Sequence, residues 1–94
     1  MKFAFLIMGN FDAARDWAVM CAGEVKMIGV PSIDAACEQA ALLKDEGVGC
    51  IELCGAFGEQ GARRVIAATG GSIPVGYVTH LPEQDALFRA AFGE

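Results

Sequence analysis

The stretch Val48-Gly-Cys-Ile-Glu-Leu-Cys54, followed at once by Gly55-Ala-Phe-Gly58, decides the reading of this chain. A short apolar run bounded by Gly47 and Gly55 has the length of a strand buried on both faces. The glycine turn leads directly into Ala62, Val65, Ile66 and Thr69, which recur at helical spacing until Gly70 and Gly71 end the pattern. A strand that passes straight into a helix is the repeating unit of a parallel sheet, because parallel neighbours need a long crossover.

Working outward, the same unit recurs. Upstream, Ser32 caps a helix with Asp34 in its positive first turn and an apolar stripe of Ile33, Ala36, Cys37, Ala40 and Leu43. Before it, Val25-Lys-Met-Ile-Gly-Val30 reads as a strand, with Lys26 pointing to an edge position. Lys2-Phe-Ala-Phe-Leu-Ile-Met8 reads as the first and central strand. Asp12 then reads as the N-cap of a helix carrying Ala14, Trp17, Ala18 and Cys21, with Gly23 at its end. Downstream, Ile73-Pro-Val-Gly-Tyr-Val-Thr79 is a fourth strand, with Pro74 at its start or on an edge. Pro82 opens a last helix whose apolar face is Leu87, Phe88, Ala91 and Phe92. The order is βαβαβαβα. It predicts one α/β domain over residues 1–94, with a four-stranded parallel sheet in the order 2-1-3-4, the start of a flavodoxin-like fold. A half-barrel of four β/α units is the alternative.

Composition narrows the function classes. Of 94 residues, 54% are hydrophobic and 20% charged, which excludes intrinsic disorder. The net charge of −5 argues against nucleic acid or an anionic membrane surface as partner, since both call for clustered Lys and Arg. No apolar run approaches the roughly 20 residues of a transmembrane helix. Phe3 to Met8 is too short for a signal peptide, so a cytoplasmic chain is expected. Cys21, Cys37, Cys50 and Cys54 lack CxxC spacing, and His80 is the only histidine, so no metal site is expected. Cys21, Cys37 and Cys50 read as small buried hydrophobes.

The segment Ile51-Glu-Leu-Cys-Gly-Ala-Phe-Gly58, with Gly61 and the later Ile73-Pro-Val-Gly76, resembles a family of small bacterial proteins of unknown function that carry an IELCG-x-FG signature. The likeness runs over nearly the whole chain and takes in the first strand and Ile28-Gly-Val30. It implies the fold and a bacterial origin, and brings no activity with it.

In an open α/β sheet, ligands bind beyond the carboxyl ends of the strands where the strand order reverses. Here that is between the first and third strands. One loop delivers Asn10 and Asp12 there, and the other Cys54, Gly55, Phe57 and Gly58, with Thr79 and His80 beside them. Asn10, Asp12, Gly55, Phe57 and Gly58 are the candidate ligand-binding residues, for a small anionic or polar metabolite. The spacing Gly55-x-x-Gly58-x-x-Gly61 before a helix suggests an anion cradle, although it matches neither GxGxxG nor a P-loop. Arg63 and Arg64 read as a solvated face, and Glu83 and Asp85 as acids favouring a helix start.

Glu52 stands in the middle of a central strand, where a carboxylate needs a partner. Glu52 and Cys54 are two apart and share a side, and His80 ends the neighbouring strand. These three are the candidate catalytic residues, with His80 taking a proton from the Cys54 thiol. The sequence therefore supports a small-molecule-binding or regulatory module first. A small hydrolase or isomerase using Cys54, His80 and Glu52, or a non-catalytic structural subunit, is the alternative. No particular cofactor is indicated. Two open sheet edges, together with Trp17, Met20, Phe88 and Phe92, predict a homodimer.

Overall fold

The computed structural model describes residues 1–93, which form a mixed α/β fold. The strands are β1 (Phe3–Met8), β2 (Trp17–Met20), β3 (Val25–Val30), β4 (Cys50–Leu53) and β5 (Val75–Tyr77), and the α-helices are α1 (Ile33–Asp45), α2 (Gly58–Ala68) and α3 (Asp85–Phe92). Short 3-10 turns at Cys21–Gly23, Gly55–Phe57 and Pro82–Gln84 precede β3, α2 and α3.

The sheet order is β2-β3-β1-β4-β5. β1 pairs in parallel with β3 and with β4, and β4 pairs in parallel with β5. The fifth strand, β2, pairs antiparallel with β3, with Trp17 opposite Ile28 and Met20 opposite Val25. The sheet is thus mixed and five-stranded, where four parallel strands alone were expected. The four parallel strands run β3-β1-β4-β5 within it.

The helix expected around Ala14 to Cys21 does not exist; β2 takes its place. Its helical spacing rested on two alanines, which have little to bury. Trp17 and Val19 favour a strand, and β3 otherwise leaves a row of backbone groups unpaired. Pairing begins before the strand proper, where the Gly29 N–H donates to the Asp16 carbonyl at 2.7 Å. Asp12 accordingly caps no helix. Its Oδ1 accepts the Ala14 N–H at 3.0 Å, and its carbonyl accepts from Arg15 and Asp16. The hairpin returns through Cys21, Ala22 and Gly23, all at positive φ. Cys21 is exposed rather than buried as expected. Lys26 is likewise not on an edge strand. Its ammonium lies 5.7 Å from the Trp17 ring and 3.6 Å from a Glu46 carboxylate oxygen.

The other elements follow the sequence. The Ser32 hydroxyl accepts the Ala35 N–H at 3.1 Å and caps α1. Pro74 directly precedes β5, and its carbonyl accepts the Ile51 N–H at 3.0 Å. The core lies on one side of the sheet. Ala4, Leu6, Ile28, Val30, Ile51 and Leu53 are buried there against Ala36, Ala40 and Leu43 of α1 and Ala62 and Val65 of α2. The side chains alternating with them, among them Phe3, Phe5, Ile7, Val25 and Glu52, are only partly covered.

Two substitutions test this arrangement. Ile51→Ala removes a fully buried side chain from the central core and is expected to lower unfolding stability by about 2–5 kcal/mol. At Gly29, an added Cβ would lie 2.5 Å from Phe11 Cγ and 2.9 Å from its Cβ. The root of that side chain cannot swing away, so Gly29→Ala should cost about 1–3 kcal/mol through overpacking. Urea titration followed by circular dichroism reads both.

Candidate functional site

The chain leaves β1, β4 and β5 at one end of the sheet, and α3 stands beyond that end. Between them lies a cleft of about 880 Å³. Ile7 and Met8 come from β1, Cys54, Gly55 and Ala56 follow β4, and Val78, Thr79 and His80 follow β5. Asp85, Phe88, Arg89 and Phe92 of α3 close the far wall. The cleft is at the expected strand-order reversal, between β1 and β4.

Local chemistry explains the walls. The Met8 N–H donates to Cys54 Sγ at 3.3 Å, so the thiol finishes the β1–β4 ladder at its carboxyl end. An added Cβ on Gly55 would lie 3.4 Å from the Val78 carbonyl oxygen, so a bare residue lets the two loops approach there. His80 Nε2 lies 2.7 Å from Asp85 Oδ1. The His80 ring stacks on Phe88 at 3.9 Å between centroids, and Phe88 stacks on Phe92 at 5.9 Å. This aromatic row holds α3 against the end of β5, although α3 buries none of its own residues. Arg89 faces the same cleft, and among the described residues no carboxylate pairs with it.

Of the residues that the sequence assigned to the crevice, Cys54, Gly55, Thr79 and His80 meet at this cleft. The others lie elsewhere. Asn10 is exposed in the turn closed by the Phe11 N–H and the Gly9 carbonyl, 2.9 Å apart. Asp12 organises its own loop and also meets Arg15 at 3.4 Å. Phe57 is 4% exposed and belongs to the core. Gly58 adopts φ +62°, a conformation L side chains disfavour, and connects the 3-10 turn to α2. Gly61 has a packing role, since a Cβ there would lie 3.0 Å from Phe57 Cβ.

Glu52 is outside the cleft, on the partly covered side of the sheet. Its carboxylate lies across Gly76 of β5, where an added Cβ would come within 3.0 Å of Oε2. Its Oε1 accepts the Cys50 thiol at 3.7 Å. Burial first, and then the adjacent Glu52 carboxylate, raise the Cys50 thiol above its ordinary pKa. No hydrogen bond links Cys54 to His80 or to Glu52 among the described residues. Arg63 pairs with Glu59 at 2.8 Å, and Arg64 pairs with Asp34. All four cysteines are free, and no cluster of three metal-ligating side chains occurs among the described residues. Among the described residues no helix is long and apolar enough to cross a membrane.

A family model described as a family of unknown function, DUF6506, matches residues 1–93. The chain belongs to that family. No curated relative and no solved structure matches it significantly. The match spans every element described above, including the cleft.

Sequence reading missed half of the cleft. Ile7, Met8 and Val78 looked like ordinary strand residues, and Phe88 and Phe92 like the buried face of a covering helix. Asp85 looked like a dipole-favouring acid. The available signal was the proximity of His80, Asp85 and Phe88 in sequence, which a helix start at Pro82 brings onto one side.

The thiols supply a test. The neutral thiol is the unreactive form, so at neutral pH iodoacetamide should modify exposed Cys21 well before Cys50. Glu52→Gln removes the negative charge that raises the Cys50 pKa and should speed labelling of Cys50. Peptide mass spectrometry over a labelling time course measures both.

Proposed function

We propose that the protein is a small-molecule-binding module, acting as a homodimer, whose cleft takes a ligand with an apolar body and an anionic end. The cleft itself carries this reading. Its walls are chiefly Ile7, Met8, Val78, Phe88 and Phe92, with a few convergent polar groups, as small-molecule sites usually have. Arg89 is its cation and is not neutralised by Asp85, which is engaged with His80. Thr79, which also lines the cleft, adds a hydroxyl. A carboxylate or phosphate meeting Arg89 would place its apolar part along the Phe88–Phe92 row.

The reading continues the flavodoxin-like comparison, in which the strand-order reversal holds the ligand. Four unpaired thiols suit a cytoplasmic setting, where disulfides are rare. The catalytic alternative gains no support from the geometry. His80 is taken up by Asp85 and Phe88, and Glu52 is not among the residues that line the cleft.

A thermal-shift screen of aromatic and branched aliphatic carboxylates and phosphates tests the proposal. A ligand that binds only the native state raises its melting temperature by mass action. Anionic members should produce the shift, and their uncharged amides should not. Arg89→Ala should weaken the best binder about 10–100-fold, the equivalent of a charged hydrogen bond of about 1.5–3 kcal/mol. The absence of any shift across both anion classes would refute the reading.

A further inference from the structure

The hand of the crossovers leaves one side of this sheet without a layer. Strand–helix–strand crossovers are right-handed, so connections running in opposite directions across the sheet put their helices on opposite faces. α1 connects β3 to β4, and α2 connects β4 to β5, both running the same way along the order β2-β3-β1-β4-β5. They therefore share a face, where they pack on each other and on the core. The connection from β1 to β3 runs the opposite way, and a helix there would cover the second face. This chain has β2 in that connection. β2 extends the sheet sideways, and of this connection Phe11 lies over the second face, against Gly29.

The uncovered face is apolar. Phe3, Phe5 and Ile7 of β1 point to it, with Val25 and Met27 of β3 and Met20 of β2, as the registers Phe3↔Val25, Phe5↔Met27 and Met20↔Val25 require. Met20 is 58% and Met27 41% exposed. Glu52 is the one charged strand residue on this side, and a parallel sheet is otherwise found with both faces covered. α3 reaches this face only at Ile7, which also lines the cleft, and it buries none of its own residues, so Phe3, Phe5, Val25, Met20 and Met27 stay without a layer.

We propose that a second copy of this chain covers this face, the two sheets packing face to face about a two-fold axis. The proposal deepens the homodimer part of the reading above and does not depend on the ligand of the cleft. Area supports this occupant. Strands about 4.8 Å apart, rising about 3.3 Å per residue, make a five-stranded face roughly 24 Å wide, about 20 Å long at β1 and β3 and about 10–13 Å long at β2, β4 and β5. Corrugated by side chains and extended by Phe11 beside Gly29, such a face supplies a large part of the roughly 800 Å² that each partner buries in a stable dimer. Charge supports it too. The chain carries −5 overall, yet this face brings only one strand carboxylate per copy to the contact. A two-fold contact also needs only one self-complementary patch.

Light scattering and charged substitutions test it. At tens of micromolar the protein should run at twice its 9.9 kDa chain mass. Met20→Lys combined with Met27→Lys should give the single-chain mass with an unchanged circular dichroism spectrum. Val19→Lys, on the opposite side of β2, and Leu87→Lys, on α3, should both stay dimeric. In the native protein, peroxide should oxidise Met20 and Met27 several-fold more slowly than Met1, a readout that survives any folding defect in the variants. A single-chain mass for the wild type would overturn this proposal and the homodimer reading together. A dimer that persists in the Met20/Met27 variant, or oxidation of Met20 and Met27 as fast as Met1, would overturn the face and leave the homodimer reading standing.

Discussion

The parallel pairing of β1 with β3 on one side and β4 on the other is the contact on which the rest of the structure depends. β1 is the middle strand, and its alternate residues Ala4 and Leu6 are wholly buried against the helices. A parallel pair cannot be closed by a tight turn, so each partner of β1 must arrive by a crossover. That requirement puts α1 over the sheet between β3 and β4, brings α2 beside it, and makes the core one-sided. The cleft lies at the carboxyl ends of β1 and β4, beside Met8 and Cys54.

The connection from β1 to β3 departs from the regular alternation. A β-hairpin there adds backbone pairing along β3 and removes a layer from the sheet. The gain is a row of ladder hydrogen bonds. The loss is cover for Phe3, Phe5 and Ile7, and with it the separation of structural from functional surfaces seen in a fully layered sheet. Glu52 belongs to this second surface. Its carboxylate has room because Gly76 lacks a side chain, and it accepts the Cys50 thiol instead of serving the cleft.

At the cleft, side chains of several origins converge because strand ends and a helix start meet there. Cys54 continues a ladder, Gly55 lets two loops approach, and His80 and Asp85 fix the start of α3 against β5. The Phe88–Phe92 row therefore stands as a wall instead of entering a core. The same residues that would close a layered domain leave a lined opening here, with Arg89 as its cation. Membership of DUF6506 over residues 1–93 makes this arrangement a property to examine across that family.

The sequence by itself determined the elements whose signals are local. The buried run at Cys50–Leu53, the Ser32 cap of α1, the glycine turn into α2 and the Pro74 entry to β5 all follow from neighbouring residues. The sheet as a whole was not legible. Pro74 marked β5 as an edge, but Lys26 did not make its strand one, since β3 lies inside a mixed five-stranded sheet. The four parallel strands nevertheless keep the relative order β3-β1-β4-β5. Meeting of Cys54, Gly55 and His80 at one end followed from that order. Tertiary structure alone decided β2. Trp17-Ala-Val-Met20 satisfies both periods, and its hairpin turns through Cys21 and Ala22 in the left-handed region without an Asn-Gly signal. The choice fell to the unpaired edge of β3, which lies within reach only once the sheet exists. The placement of Asn10, Asp12 and Phe57 away from the cleft, and of Phe88 and Phe92 in its wall, was decided in the same way. Burial is a property of what an element meets in space, and local spacing does not encode it.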